Sequence, residues 1–425
     1  MISVGAGQII RLGKSLILSR LLFPDAYGMM AIVWAVLYAL AMLSDVGLAQ
    51  GVIRHERGGD PKFLNTAWTM KVIRGAVLCA VAVALAYPLS IFYQKPELGP
   101  LIAVAGLTLL IDGFGSTNVF SSQRNMVYGR LTLLELSHDV IGLFVTLAWA
   151  YFYPTPWALL GGAIVGRIFH LFGSHLMIPG IKNRFHWDPV AFRELAHFGK
   201  WIFFSSAIYL IYAQGDRMLL GLYFNSTLLG VYSVAIMLTE AVGSVVYRLN
   251  EAVMYPALSR IVNSEKHRLK EVYYRLRFGS DILLIIPISI LLMIGDRLVG
   301  ILYDSRYQEA GWMLQVLCVK LIMIAILSGS SSCLFALGHS RYSLIQNIFR
   351  AMWIVVGIPL AWHKYGTQGV VWVVALTELP VIVVLWSGMI RYKLLSLWNE
   401  LRSLFFIVVG IAIGFALLQL PIGSR

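Results

Sequence analysis

Charge is scarce in this chain. Of 425 residues only 13% are Asp, Glu, Lys or Arg, 59% are hydrophobic, and the mean hydropathy is +0.76. A soluble protein of this length could bury a large core, but it needs far more charge to cover its surface. The scarcity excludes a soluble enzyme or binding domain and places the chain in lipid. Cysteine is scarcer still. Cys79, Cys318 and Cys333 sit in apolar segments at unrelated spacing, which excludes a disulfide frame or a cysteine metal site. HExxH, P-loop, nucleophile-elbow and CxxC motifs are absent, and His170 and His175 are five apart, so they do not share a helix face as an i, i+4 metal pair does. Nor is there a long outer loop to hold the catalytic carboxylates of a membrane glycosyltransferase or polymerase. The expectation is no enzyme activity, no cofactor and no metal.

What the chain does have is long apolar runs. A span needs about 20 apolar residues, since the hydrocarbon core is about 30 Å thick and a helix rises about 1.5 Å per residue. On that ruler about thirteen spans fit, near 1–21, 28–52, 68–93, 99–120, 131–153, 156–179, 197–223, 227–252, 279–303, 309–337, 341–363, 367–390 and 403–421. The runs lack period-2 alternation, so they are helices and not barrel strands. The expected fold class is an all-α integral membrane protein. Arg11 and Lys14 interrupt the first run and no small-x-small site follows, which argues against a cleavable signal peptide.

The net charge of +13 suggests a nucleic-acid partner at first sight. Position by position, topology explains it better. With the N-terminus cytoplasmic, 21 Lys and Arg residues fall inside or at the inner boundary, and five fall outside (Arg20, Lys95, Arg306, Lys364, Arg425). That bias fixes orientation by the positive-inside rule, and no nucleic-acid partner is expected. Asn225-Ser226-Thr227 matches a glycosylation sequon, which matters only in a secretory pathway.

An internal echo organises the chain. Leu18-Ser19-Arg20-Leu21-Leu22-Phe23-Pro24-Asp25-Ala26-Tyr27-Gly28 reappears as Leu220-Gly221-Leu222-Tyr223-Phe224-Asn225-Ser226-Thr227-Leu228-Leu229-Gly230. A fainter echo sets Ser90-Ile91-Phe92-Tyr93 against Gly300-Ile301-Leu302-Tyr303. Paired halves in a very apolar chain are the mark of transporters, whose two lobes enclose a path. The division expected is a six-helix lobe over 1–180, a basic linker near 180–196, a second six-helix lobe over 197–390 and an added helix within 391–425. Residues 256–277 read as an amphipathic surface helix, with Val262, Leu269, Val272, Tyr273 and Leu276 at helical spacing. Gly162 and Gly166 form a small-xxx-small pair expected at a close helix contact.

Charges inside spans cost roughly 2.5–3.5 kcal/mol each on insertion scales, so they face a cavity or a partner. Eight cations fall there: Arg11, Lys14, Arg167, Arg217, Arg248, Arg297, Lys320 and Arg350. Asp45, Asp112, Asp139, Asp216, Glu240, Asp281, Asp296 and Glu378 join them. Asp296 and Arg297 lie near a span end, where they can snorkel or pair with each other, and Arg248 and Glu251 are three apart and suit a local pair. Arg11 and Lys14 share a helix face, and through the echo Lys14 falls opposite Asp216 at equal depth. Two cations on one face demand an anion. Carboxylates of a facing helix, Asp45 foremost, supply it on one reading, and a bound anionic substrate supplies it on the other.

Arg20-Leu21-Leu22-Phe23-Pro24-Asp25-Ala26-Tyr27-Gly28, followed by Asp45-Val46-Gly47-Leu48-Ala49, resembles the opening of polysaccharide flippases of the Wzx type, whose form is R-L-L-G-P-x-x-[FY]-G and then D-x-G-L. Phe23 stands where that family favours glycine. Asp216-Arg217-Met218-Leu219-Leu220-Gly221 through Leu229-Gly230-Val231-Tyr232 resembles its seventh and eighth spans. The resemblance implies two pseudo-symmetric six-helix lobes of the multidrug/oligosaccharidyl-lipid/polysaccharide superfamily (MATE-like). It implies movement of undecaprenyl-diphosphate-linked oligosaccharide across the bacterial inner membrane for O-antigen or exopolysaccharide synthesis, by alternating access around a cationic cavity. Arg11, Lys14 and Arg217 would then contact the diphosphate or acidic sugars, joined by Arg167 and Arg350. Asp45 and Asp216 would position the cations or couple an ion. Implied partners are the lipid-linked oligosaccharide, membrane lipid, a polysaccharide polymerase and a chain-length regulator. A multidrug exporter of the same superfamily, or a non-transporting component of an assembly complex, stand as alternatives.

Overall fold

Lipid offers backbone N–H and C=O groups no partner, so each apolar run must satisfy its own by coiling into a helix. The computed structural model describes residues 13–45 and 47–420, without the side chains of 196–208 and 212. All regular structure among the described residues is helical. Arg11, the first of the expected substrate cations, lies outside the described residues.

The chain forms two compact units, the first ending at Gly230 and the second beginning at Val231. The first holds α1 (13–21), α2 (Pro24–Leu43), α3 (Leu48–Arg54), α4 (Pro61–Phe92), α5 (Leu98–Phe114), α6 (Asn118–Arg124), α7 (Gly129–Phe152), α8 (Pro156–Leu176), α9 (Pro189–Tyr223) and the first turn of α10 (Ser226–Leu249). Proline opens α2, α4, α8 and α9, where its missing N–H costs nothing and its φ is already helical. Asp60 and Asp188 cap α4 and α9 by accepting from Lys62 N (3.0 Å) and Val190 N (2.9 Å). α4 packs along α5 and α7 along α8. At the second seam Gly162 lies against Gly142 O and Thr146, the close contact expected of the small-xxx-small pair. α9 packs on α2, α3 and α4, so the units divide after α9.

The second unit continues α10, widens through a π turn (Asn250–Met254), and adds α11 (Tyr255–Ser264), α12 (Leu269–Leu302), α13 (Ala310–Ala336), α14 (Arg341–Ala375), α15 (Leu379–Arg391) and α16 (Leu397–Gln419). α12 is sandwiched by α13 and α16. Leu258, Tyr273, Leu334, Leu385 and Met389 bring α11, α12, α13 and α15 into one buried cluster. The fainter echo is structural: α4 and α12 both end one residue before a buried tyrosine, Tyr93 and Tyr303. Cys318 and Cys333 are buried, Cys79 is partly so, and all three are free thiols.

The count of thirteen spans is not confirmed. Among the described residues nine helices are long and apolar enough to cross a membrane, or ten if the bent pair α5–α6 is one span. The expected pair 341–363 and 367–390 is a continuous run, Arg341–Arg391, in which α14 kinks at Gly366 (φ 58°, ψ −142°) and resumes. The single surface helix expected over 256–277 is two helices broken at Glu265, and the second runs on as α12. α4 begins at Pro61, seven residues before the expected span start at 68. Lys71 and Arg74, counted at the inner boundary of that span, therefore lie well past the first turns of α4.

Candidate functional site

α4 places Lys71 and Arg74 three residues apart on one face. Arg74 reaches the end of α2, donating to Ala41 O (2.6 Å) and Ser44 Oγ (3.0 Å). A cation is favoured there because the last carbonyls of a helix lack partners and carry its negative pole. Lys71 Nζ donates to Gly115 O at the end of α5 (3.0 Å) and lies within electrostatic range of Asp112, Arg74 and Arg167. Arg167 of α8 pairs with Asp112 of α5 at 3.0 Å. His170, one turn from Arg167, stacks edge-on with His138 of α7 at 5.8 Å between ring centres. His138 approaches Asp139 at 3.9 Å, and Asp139 is the electrostatic partner of Lys14.

These contacts join into one polar belt through the first unit. It runs from Lys14 through Asp139, His138, His170, Arg167, Asp112 and Lys71 to Arg74 and Asp45. Four cations (Lys14, Lys71, Arg74, Arg167) face four carboxylates (Asp45, Asp112, Glu135, Asp139), so the belt is close to balanced in charge. The Arg167 and Asp112 side chains are 45% and 38% exposed although both sit in membrane-depth helices. A charge pair left open at that depth belongs against a water-filled space and not against lipid tails. Such a belt can hold a multiply charged anion by exchanging its water for fixed cations.

The expected site residues divide accordingly. Lys14 and Arg167 join the belt. Asp45 also does, but its place is beside Arg74, and its carboxylate accepts from Gly47 N at 2.9 Å to shape the left-handed turn before α3. Asp139 lies within electrostatic range of Lys14, and no ion pair between Lys14 and Asp45 forms among the described residues. Asp216 is buried and accepts from Arg217 N (2.8 Å), while Arg217 donates to Gln214 Oε1 (3.2 Å) within α9. Arg350 is held by Glu378 through Nη2 at 2.6 Å and Nε at 3.0 Å, joining α14 to α15. The local Arg248–Glu251 pair is not formed among the described residues, because the π turn begins between them.

Sequence reasoning counted Lys71 and Arg74 as inner-boundary charges and not as site residues, although Asp60-Pro61 is a helix-start signal that sets them deeper in the helix. It also missed Arg277, assigned to a surface loop. Arg277 is 1% exposed and bridges α12 to α16, contacting Glu400 Oε1 at 2.5 Å and donating to Ser403 Oγ at 3.2 Å. Ser403 Oγ donates in turn to Asp281 (2.8 Å), and Tyr274 OH to Glu400 (3.1 Å). At the other end of the first unit, Arg57 gathers Asp188 (3.0 Å), Asp60 (3.3 Å) and Glu194 (3.5 Å) beside a cavity of about 910 Å³. The Arg57 guanidinium holds the Asp188 carboxyl below the usual carboxylate range.

The sequence pattern of a family described as "Polysaccharide biosynthesis protein" matches residues 17–312. The lipopolysaccharide biosynthesis protein WzxC of Escherichia coli K12 is 22% identical over 98% of this chain and 86% of its own length. A lipid II flippase, MurJ, in an inward closed conformation superposes with a TM-score of 0.79 at 13% identity, covering 100% of this chain and 93% of that one. An inward-facing multidrug transporter of the MATE family in the MOP superfamily gives 0.71 at 14% identity, over 94% and 95%. The two-lobe, all-helical fold expected from the resemblance is that of these structures.

Proposed function

We propose, on the premise that this chain belongs to the polysaccharide biosynthesis protein family, that it is a flippase for undecaprenyl-diphosphate-linked oligosaccharides. It moves them from the cytoplasmic to the periplasmic face of a bacterial inner membrane, for O-antigen or exopolysaccharide synthesis. A relative named for lipopolysaccharide biosynthesis and a neighbour of the same fold named a lipid II flippase support this reading. The observation that carries it is the open Arg167–Asp112 pair set in a belt that gathers four cations, Lys14, Lys71, Arg74 and Arg167. A diphosphate bears at least two negative charges and cannot cross hydrocarbon bare. The belt replaces its water while the lipid tail stays in the bilayer.

Lys14, Arg167, Lys71 and Arg74 take the diphosphate on this reading, with Arg11 and Arg217 adding charge from the first helices of the two repeats. Asp45 and Asp216 position cations or couple an ion. Arg350, already engaged by Glu378, contributes least. The lobes 1–180 and 197–390 alternate access around the substrate, 391–425 is an accessory helix, and the N-terminus is cytoplasmic. A polymerase and a chain-length regulator receive the product outside. The MATE-like fold also suits a multidrug exporter, which stands as the second reading.

The test is flipping of a fluorescent undecaprenyl-diphosphate oligosaccharide in proteoliposomes. Wild type should move it, and Lys14→Ala/Arg167→Ala should lose at least tenfold in rate at equal protein density. Failure of folded wild type across several sugar headgroups, with uptake of organic cations instead, would favour the exporter.

A further inference from the structure

The π turn Asn250–Met254 interrupts the descent from α10 into α11, and turns of this kind often mark functional positions. Beside it, between the end of α13 and the start of α14, lies a cavity of about 320 Å³ wholly within the second unit. Its polar wall is two carboxamides, Asn250 and Gln346, three serine hydroxyls, the Tyr342 hydroxyl, the His339 imidazole and the carboxylate of Glu251. Its apolar wall is aromatic, with Tyr255 and Phe335 at 5.5 Å between ring centres. No lysine or arginine lines it.

Much of this polar capacity is unspent. Gln346 is 4% exposed and gives one long bond to Ser331 Oγ (3.4 Å); its carboxamide makes no other among the described residues. Asn250 accepts from Ser332 Oγ (3.2 Å) and its NH₂ group donates to nothing described. Glu251 has no ion-pair or hydrogen-bond partner among the described residues. Asn250 is half-buried and Glu251 exposed, so these groups stand open to a ligand's hydroxyls.

We infer that this cavity is a sugar site, taking one uncharged pyranose unit of the translocated oligosaccharide at a place separate from the diphosphate belt. The inference rests on the flippase reading for the origin of the sugar, though not for the chemistry. A pyranose presents a ring of hydroxyl donors and acceptors and apolar C–H faces. Carboxamides and a carboxylate pair with the first, and aromatic rings cover the second. The volume suits one or two rings. A phosphate or uronic acid is disfavoured, because Glu251 repels it and no lysine or arginine lines the wall, His339 being the one basic side chain there.

The test is saturation-transfer NMR on the full-length protein in nanodiscs. The probes are methyl glycosides of glucose, galactose, mannose, fucose and N-acetylglucosamine, with methyl glucuronide as the acidic probe. At least one neutral glycoside should bind and glucuronide should not. Gln346→Leu should weaken the neutral ligand at least tenfold with the melting temperature retained, and Glu251→Gln should admit glucuronide. No neutral glycoside bound by folded wild type, or binding unchanged in both Gln346→Leu and Ser332→Val, overturns the site. A lipid-linked oligosaccharide that competes with the glycoside identifies the sugar as part of the cargo; no competition removes that assignment. Flipping without glycoside binding refutes this site alone, while binding without flipping refutes the flippase reading alone.

Discussion

Gly28 and Gly230 are equivalent in the internal echo, and they stand in each other's way in equivalent fashion. A Cβ on Gly28 would run into the carbonyl oxygen of Ser226, and one on Gly230 into that of Pro24, itself the repeat equivalent of Ser226. The same Cβ positions lie 2.9 Å from Gly230 N and 3.1 Å from Gly28 N respectively. The first turns of α2 and α10 therefore cross backbone against backbone, related by a local two-fold. Only glycine permits that approach, as in other tight helix crossings.

Alanine at either position should force these turns apart, since the obstructing atoms are backbone and cannot rotate away. Overpacking of this kind costs about 1–3 kcal/mol. Gly28→Ala and Gly230→Ala should each lower the melting temperature in detergent. The double variant should cost less than the two losses added, because one separation relieves both clashes. Full additivity in thermal scans would mean that the two glycines act independently.

The Arg167–Asp112 pair should behave as a functional and not a stabilising contact. Both side chains are more than a third exposed, and pairs so placed contribute about 0–1 kcal/mol. Arg167→Gln should leave thermal unfolding nearly unchanged while reducing flipping at least tenfold. A matching fall in both would assign the pair to the scaffold.

Arg350 and Glu378 should show the opposite pattern. The Glu378 side chain is fully buried and that of Arg350 is 15% exposed. Arg350→Gln strands a buried carboxylate and should destabilise by about 3 kcal/mol. Arg350→Leu/Glu378→Leu should recover most of that loss and retain flipping, read by the melting curve and the transport assay together. Loss of transport from the stable double variant would restore Arg350 to the substrate site.

Asp188 makes stability depend on pH at the acid end. Its folded carboxyl is held below the ordinary value by Arg57, so its contribution is fully present above about pH 4. The contribution is lost as pH falls through the depressed folded value. Asp188→Asn keeps an acceptor for the cap of α9 while removing the charge. The melting-temperature gap between wild type and variant should be steady from pH 7 to 5 and close below pH 4. A gap that stays constant to pH 3 would show that the charge contributes nothing.

Much of the fold was legible in the sequence because lipid leaves few choices. Apolar length gave the helices, the echo at Gly28 and Gly230 marked a real symmetry, and Tyr93 and Tyr303 marked matching helix ends. Helix starts were harder to place where polar residues extend a helix beyond the hydrocarbon. Lys71 and Arg74 were read as boundary charges for that reason, and Arg277, eight residues into α12, was left in the surface segment. Partner choice was not legible. Nothing local tells Arg277 that Glu400 will meet it, or Lys14 that Asp139 lies within its electrostatic range. Such pairs depend on how helices distant in sequence pack, which hydropathy does not encode.

The burial of the thiols makes the molecule a ready frame for spectroscopy. Cys318 and Cys333 are sealed from solvent, so aqueous maleimides and methanethiosulfonates should pass them by, and Cys79→Ser removes the remaining partly exposed one. A single cysteine then introduced near Asp25 or Thr227 would carry a spin label or fluorophore with little background. Distances between such labels could be followed through a transport cycle without redesigning the interior.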